Sequence, residues 1–172
     1  MERAPSFYPI EVRGVQQKTY VPEGEQQDAP ASQIGATLEA LATTIHARRD
    51  ADGSSYTHLL LTDPLDASLK KLMEEASETA LAAKDADHAQ RLAREAEGPG
   101  SGGGRGSARQ IDDALNHLRY EAADVVYHLL VVMERFDIGI DELAAELNMR
   151  MKEGERPKGA VLLPETELNR GK

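Results

Sequence analysis

Five carboxylates fall into two groups, and the spacing within each group brings its members to one side of a helix. Glu74, Glu75 and Glu78 form the first group, and Glu121 and Asp124 form the second. At about 100° of turn per residue, spacings of three and four residues keep side chains on one face. Carboxylate oxygens are the hard ligands that Mg²⁺ and Mn²⁺ prefer, with water and phosphate oxygens completing the shell. The pattern favours a divalent-cation site.

The second group lies on a stretch, 120–133, that is apolar on nearly every side. A helix that is hydrophobic all round is normally buried, and a buried carboxylate is costly unless it is protonated, paired with a base or bound to a cation. An ion pair with an Arg or Lys of a neighbouring helix is therefore the alternative to a cation. His128 projects between Glu121 and Asp124 and is interpreted as a partner of the acids. A zinc site on His117, His128 and Asp124 is disfavoured because it lacks closely spaced histidines.

The first group admits two interpretations. Lys70 and Lys71 precede Glu74 and Glu75 by four residues, the arrangement of ion pairs on solvent-exposed helices, which indicates a solvated face. Leu81 projects into the same arc and argues against a fully wet surface. If this group faces the second group across a bundle, the two complete a cation site, and Lys70 and Lys71 can meet the phosphate oxygens of a substrate.

The chemistry that follows is attack of water on a phosphoanhydride. An acidic pocket repels a polyphosphate unless a divalent cation inverts its field. The cation would polarise the phosphoryl group and generate hydroxide. Glu75 and Glu78 are the candidate catalytic bases because of their proximity.

Helical periodicity predicts the elements that position these residues. Helices are expected from residue 32 to about 47, from 63–64 to about 84 with continuation to 97, from about 108 to 136, and from about 142 to 151. Segment 55–61 is either a strand or a helical turn. The helix after Pro64 carries a narrow apolar stripe, which consists of Leu65, Leu69, Leu72, Ala76, Ala80 and Ala83. About four main helices with almost no strand predict an all-α helical bundle.

Composition bounds the remaining organisation. A chain of 172 residues without cysteine predicts one domain with appendages and excludes disulfides and thiol chemistry. We expect a flexible N-terminal extension over 1–31, a helical domain over 32–152 with a glycine-rich insertion at about 98–107, and a tail over 153–172. The net charge of −10 disfavours nucleic acid as a partner. No apolar stretch is long enough for a membrane span, so a cytoplasmic protein is expected.

Several motifs resemble one family. They are Lys70-Lys71-x-x-Glu74-Glu75-Ala76-x-Glu78, Ala82-Ala83-Lys84, Glu121-Ala122-Ala123-Asp124-x-x-Tyr127-His128-Leu129-Leu130-Val131 and Ser55-Tyr56-Thr57. Together they are similar to bacterial phosphoribosyl-ATP pyrophosphatases, a branch of the all-α nucleoside triphosphate pyrophosphohydrolase superfamily. The resemblance extends from about residue 34 to 150.

The resemblance implies hydrolysis of phosphoribosyl-ATP to phosphoribosyl-AMP and pyrophosphate, the second step of histidine biosynthesis, with Mg²⁺ or Mn²⁺ as cofactor. It implies that the metal ligands are Glu74, Glu75, Glu78, Glu121 and Asp124. His128, Tyr56 and Thr57 are expected around them, and a homodimer or larger homo-oligomer is expected to complete the bundle.

Two alternatives stay open at this stage. A housecleaning pyrophosphatase that hydrolyses unwanted (d)NTPs would share the fold, the metal and the mechanism. A non-catalytic acidic helical dimer that binds a partner protein would share only the fold.

Overall fold

The computed structural model describes residues 33–51, 53, 55–96 and 105–164. Over these ranges the chain forms α1 (Gln33–Ala47), α2 (Tyr56–Thr62), α3 (Leu65–Ala96), α4 (Arg105–Arg135), α5 (Ile140–Arg150) and a short 3-10 helix (Glu153–Glu155), with no strand. The all-α class is confirmed. None of the described helices combines the length and the apolar character that crossing a membrane requires. The predicted N-terminal extension and most of the predicted glycine-rich insertion lie outside the described residues.

The two longest helices, α3 and α4, form an antiparallel pair. They contain 32 and 31 residues, which makes each about 46–48 Å long at 1.5 Å per residue. Near one end Ser68 Oγ lies 3.2 Å from Arg135 Nη1. Seven residues further along α3, and seven residues back along α4, Glu75 Oε1 lies 3.8 Å from His128 Nε2. These equal and opposite steps define the register of the pair.

An apolar core joins α1 and α2 to the second half of α4. It consists of Ile45, Leu60, Leu130, Val131 and Met133. Its central members, Ile45 and Val131, are only 2% and 0% exposed. Close packing of this kind leaves little freedom to the backbone of α4. The core therefore fixes the half of α4 that carries His128.

Segment 55–61, which the sequence allowed as a strand or a helical turn, forms the helix α2. Its carbonyl at Leu60 accepts a hydrogen bond from the buried Ser68 hydroxyl at 2.5 Å and another from Arg135 Nη1 at 2.6 Å. Carbonyls in the last turn of a helix have no partner within the helix. The side chains of α3 and α4 supply partners for the Leu60 carbonyl, so tertiary contacts stabilise this segment as a helix.

The apolar stripe predicted on α3 is not the face that the helix buries. The buried residues are Ser68, Glu75, Ala82 and Ala86, whereas Leu69 is 38% exposed and the stripe's alanines are exposed. The buried face is offset from the stripe by about one residue, or ~100°. This offset places Glu75 on the buried face of α3. The buried alanines Ala82 and Ala86 bring small side chains to the contact with α4.

The predicted burial of α4 on every side is also wrong for the single chain. Tyr120 is 66% exposed, and Val126 and Leu129 are each more than one third exposed. The described helices α1, α2 and α3 cover only part of the circumference of α4. Apolar side chains on more than one side of α4 are therefore exposed in the single chain.

The chain after α5 packs back against that helix as far as it is described. The buried Asn148 side chain donates a hydrogen bond to the carbonyl of Val161 at 2.9 Å. Arg156 Nε donates to the backbone carbonyl of Asn148 at 2.8 Å. These two bonds attach residues 153–164 of the predicted tail, and 165–172 lie outside the described residues.

Candidate metal centre

Three carboxylates from α3 and α4 meet between the two helices. One oxygen of each of Glu75, Glu121 and Asp124 lies within 4.8 Å of the oxygens of the other two. Glu75 is 5% and Glu121 is 7% exposed, and Asp124 is half-buried. Glu121 and Asp124 share a face of α4 because they are three residues apart, and Glu75 approaches them from the buried face of α3. We call these three residues the carboxylate cluster.

The lysines of α3 neutralise only one edge of this cluster. Lys71 Nζ lies 2.8 Å from Glu75 Oε1 and 3.1 Å from Glu74 Oε2, and Lys70 Nζ lies 3.3 Å from Glu74 Oε1. Hydrogen bonds to Glu75 and Glu74 raise the pKa of Lys71, and hydrogen bonds from Lys71 and Lys70 lower the pKa of Glu74. The structure thus holds Glu74 in an ion pair beside the cluster rather than within it.

Glu78 lies on the solvent side of the cluster, and the charge of the cluster affects its pKa. The side chain is exposed, yet partial desolvation raises its pKa, and the negative charges of Glu75 and Glu121 raise it further. A carboxyl group holds its proton more tightly where negative charge is in excess. The cluster therefore carries an excess of negative charge even with Lys71 beside it.

His128 lies beneath the cluster on α4. It is buried, and its Nε2 is 3.8 Å from Glu75 Oε1, while its Nδ1 has no hydrogen-bond partner in the described part of the chain. Desolvation by burial lowers the pKa of His128, which favours the neutral ring. The rings of Tyr127 and Tyr56 pack edge-on against it, with centroids 5.0 Å and 6.3 Å away. The imidazole is thus held by aromatic packing and directed at Glu75.

Helix α2 brings the two remaining predicted residues to the edge of the site. Thr57 Oγ1 forms a 2.8 Å hydrogen bond with the hydroxyl of Tyr127, so Thr57 supports the aromatic packing. Tyr56 is exposed beside the site. Desolvation raises its pKa, and the nearby charge of Lys71 opposes that rise. Both residues belong to the surroundings of the cluster.

Sequence reasoning missed two contacts. His117 Nε2 lies 2.9 Å from Glu121 Oε1, whereas the sequence suggested for His117 only the disfavoured zinc site. The signal was present, because His117 precedes Glu121 by four residues on the same helix. The hydrogen bond between Tyr127 and Thr57 joins two separate helices, so no pattern within one helix predicts it.

The donor set of the cluster fits a divalent cation. Oxygens that share one ion at about 2.0–2.6 Å lie at most about 4–5 Å apart, and the 4.8 Å limit within the cluster agrees with this spacing. In the described part of the chain, no Arg or Lys forms an ion pair with Glu121 or Asp124. The alternative of a basic partner from a neighbouring helix is therefore not found there, and the acids point to one another.

Comparison with known proteins identifies the family to which the sequence is similar. Residues 38–151 match the family model described as phosphoribosyl-ATP pyrophosphohydrolase. The chain is 38% identical over 120 residues to the phosphoribosyl-ATP pyrophosphatase of Caulobacter sp. (strain K31), covering 69% of this chain and 86% of the relative. It is 33% identical over 118 residues to that of Ralstonia pickettii (strain 12J), covering 66% and 80%. No solved structure gives a significant match.

The matched range contains most of α1, all of α2 to α5 and every carboxylate discussed above. Since the family model spans well over half of the sequence, the match describes the helical domain as a whole. The chain belongs to the phosphoribosyl-ATP pyrophosphohydrolase family.

Proposed function

We propose that the chain is a phosphoribosyl-ATP diphosphatase, which hydrolyses phosphoribosyl-ATP to phosphoribosyl-AMP and pyrophosphate in the second step of histidine biosynthesis. Its curated relatives carry the name of this activity. The observation that carries the proposal is the meeting of Glu75, Glu121 and Asp124 within 4.8 Å between α3 and α4. A phosphoanhydride substrate is strongly anionic, and only a site that binds cations makes such a pocket attractive to it.

The cofactor in this proposal is Mg²⁺, with Mn²⁺ as a substitute. Glu75, Glu121 and Asp124 would hold it, and Glu78 and Glu74 are the further carboxylates within reach of the site. Such a cation, when bound, offsets phosphate charge, polarises the phosphoryl group and acidifies water. Glu74 must first exchange its lysine partners, so it is the last of the five to be recruited.

Of the two candidate bases, Glu78 is the better placed to accept a proton from the attacking water. Its pKa is raised and its side chain is exposed to solvent, and a base works best when its pKa approaches the working pH. Glu75 is buried and paired with Lys71, which suits a fixed ligand. We therefore assign proton transfer to Glu78 and charge and geometry to Glu75.

Two lysines and the aromatic surroundings complete the proposed site. Lys70 is largely exposed and can turn toward a phosphate oxygen without leaving a buried acid unpaired. Lys71 forms an ion pair with Glu75. It can bind a phosphate oxygen only while it also contacts that carboxylate. His128 orients Glu75, while Tyr56 and Thr57 form the wall of the site on α2.

We further propose that the protein is a cytoplasmic homodimer. Large apolar side chains of α2, α3 and α4 are exposed, including Tyr56, Met73, Leu81 and Tyr120. A second copy of the same chain would bury exposed apolar side chains of both α3 and α4. Sedimentation equilibrium should give twice the chain mass; a monomer at micromolar concentration would contradict the dimer.

A substrate panel tests the proposed activity. Purified protein with Mg²⁺ is expected to release pyrophosphate from phosphoribosyl-ATP much faster than from ATP, dCTP or dUTP. Chelation of the metal should stop the reaction, and added Mg²⁺ should restore it. Release from dCTP or dUTP but not from phosphoribosyl-ATP would instead identify a housecleaning pyrophosphatase, and no release from any of them would leave only a binding role.

A further inference from the structure

Thr79 on α3 carries a buried hydroxyl that forms no hydrogen bond within the described part of the chain. Other helical hydroxyls behave differently. Those of Thr43, Thr44, Thr62 and Ser77 each donate to the carbonyl four residues earlier. A buried polar group without a partner costs free energy. The hydroxyl of Thr79 is therefore shielded from solvent and does not use the usual backbone acceptor.

The register of α3 and α4 places Thr79 opposite the carboxylate cluster. Glu75 lies level with His128. Thr79 is one turn after Glu75 along α3, and Asp124 is one turn before His128 along α4. Because the helices are antiparallel and rise equally per residue, Thr79 is level with Asp124. Ala82, one turn further along, is buried on the same face.

Asp124 offers a carboxylate oxygen as the hydrogen-bond acceptor that the Thr79 hydroxyl lacks. It forms no ion pair with any described residue, although it lies within the cluster. A carboxylate has two oxygens, so one can face a cation while the other accepts a hydrogen bond. Such outer hydrogen bonds orient the ligands of bound metals in proteins.

We propose that Thr79 is a positioning residue that donates a hydrogen bond to Asp124 when the cluster binds a divalent cation, and so fixes which carboxylate oxygen faces the ion. The inference rests on the proposed function, since it requires that cation. Donation to Asp124 then offsets the cost of burying this hydroxyl. A threonine that only fills space with its methyl group would make no such contribution.

The test compares Thr79→Val with Thr79→Ser in the metal-free protein and measures two quantities without substrate. Mn²⁺ affinity is measured by electron paramagnetic resonance of free Mn²⁺, and the melting temperature is measured without metal. Valine keeps the shape and removes the hydroxyl, so Mn²⁺ affinity should fall by at least about tenfold while the melting temperature is unchanged or higher. Serine keeps the hydroxyl and should bind Mn²⁺ close to the wild-type affinity.

Ser77→Ala is the matched control, because it removes an exposed hydroxyl on the same helix that already has a backbone acceptor. It should leave Mn²⁺ affinity unchanged. Wild-type affinity in Thr79→Val overturns the inference, and so does an equal loss of affinity in the valine and serine variants. If the valine variant does not fold, Thr79→Ala removes the same hydroxyl and must show the same weaker binding. Wild-type protein that binds no Mn²⁺ at all refutes the cation site itself, which is a different result from a failure confined to Thr79.

Discussion

Asp124→Asn is expected to reduce turnover by at least about 100-fold while leaving the fold intact. Loss of an outer partner of a metal ligand already costs roughly 10- to 100-fold, and this change removes a proposed ligand itself. Asp124 forms no ion pair with any described residue and lies near two buried acids. Neutralising it relieves repulsion between like charges, so the melting temperature of the metal-free protein should stay level or rise.

Pyrophosphate release and thermal unfolding, measured on one preparation, check this prediction. Asp113→Asn is the matched control, since Asp113 is an exposed aspartate on the same helix, with Oδ2 3.8 Å from Arg109 Nε. The control should retain activity. A lower melting temperature with turnover preserved in Asp124→Asn would mean that the residue has a structural role and that the cluster does no chemistry.

Ile45→Ala is expected to lower the free energy of unfolding by about 2–5 kcal/mol. The side chain is 2% exposed and packs in the core with Leu60, Leu130 and Val131. Removing it leaves a cavity that α1 and α4 can only partly close. Such a loss is a large part of the stability of a domain, which is about 5–15 kcal/mol.

Ile34→Ala on the same helix is the control for this change. Ile34 is 64% exposed, so its truncation should shift stability by no more than about 0.5 kcal/mol. Urea unfolding followed by circular dichroism measures both variants. The folded fraction of Ile45→Ala should keep the wild-type Mn²⁺ affinity, because the core and the cluster share α4 but no side chain. Equal effects of the two substitutions would contradict the assignment of the core.

The acids on α4 show how much of the site periodicity can predict. Glu121 and Asp124 are three residues apart, and helix geometry alone brings them together on one face. The same reasoning predicted the lysine–glutamate pairs of α3, and the structure contains both four-residue pairs. It could not separate Glu75 from its neighbours, since Glu74 and Glu78 lie within the same arc.

The separation of Glu75 depends on which face of α3 packs against α4. The leucine and alanine stripe predicts one face, and the helix buries the neighbouring face through Ser68, Glu75 and Ala82. Contact with α4 favours small side chains at close approach, and the bond from Ser68 to Leu60 anchors that choice. Such preferences arise between helices, so a pattern within one helix does not reveal them.

The short helix α2 illustrates the same limit. Seven residues complete only two helical turns, which is too short for periodicity to distinguish a helix from a strand. The acceptors and donors that settle the choice lie on α3 and α4, in Ser68 and Arg135. Local sequence determines what α2 can form, and the tertiary contacts determine which form it takes.

The position of bound Mn²⁺ tests most directly whether the three carboxylates hold a divalent cation. Crystals of the full chain soaked in Mn²⁺ would be measured by anomalous diffraction, which locates the ion independently of the protein density. We expect one strong peak between α3 and α4, about 2.0–2.6 Å from oxygens of Glu75, Glu121 and Asp124. A peak confined to Glu74 and Glu78, or no peak at saturating Mn²⁺, would contradict the proposed site.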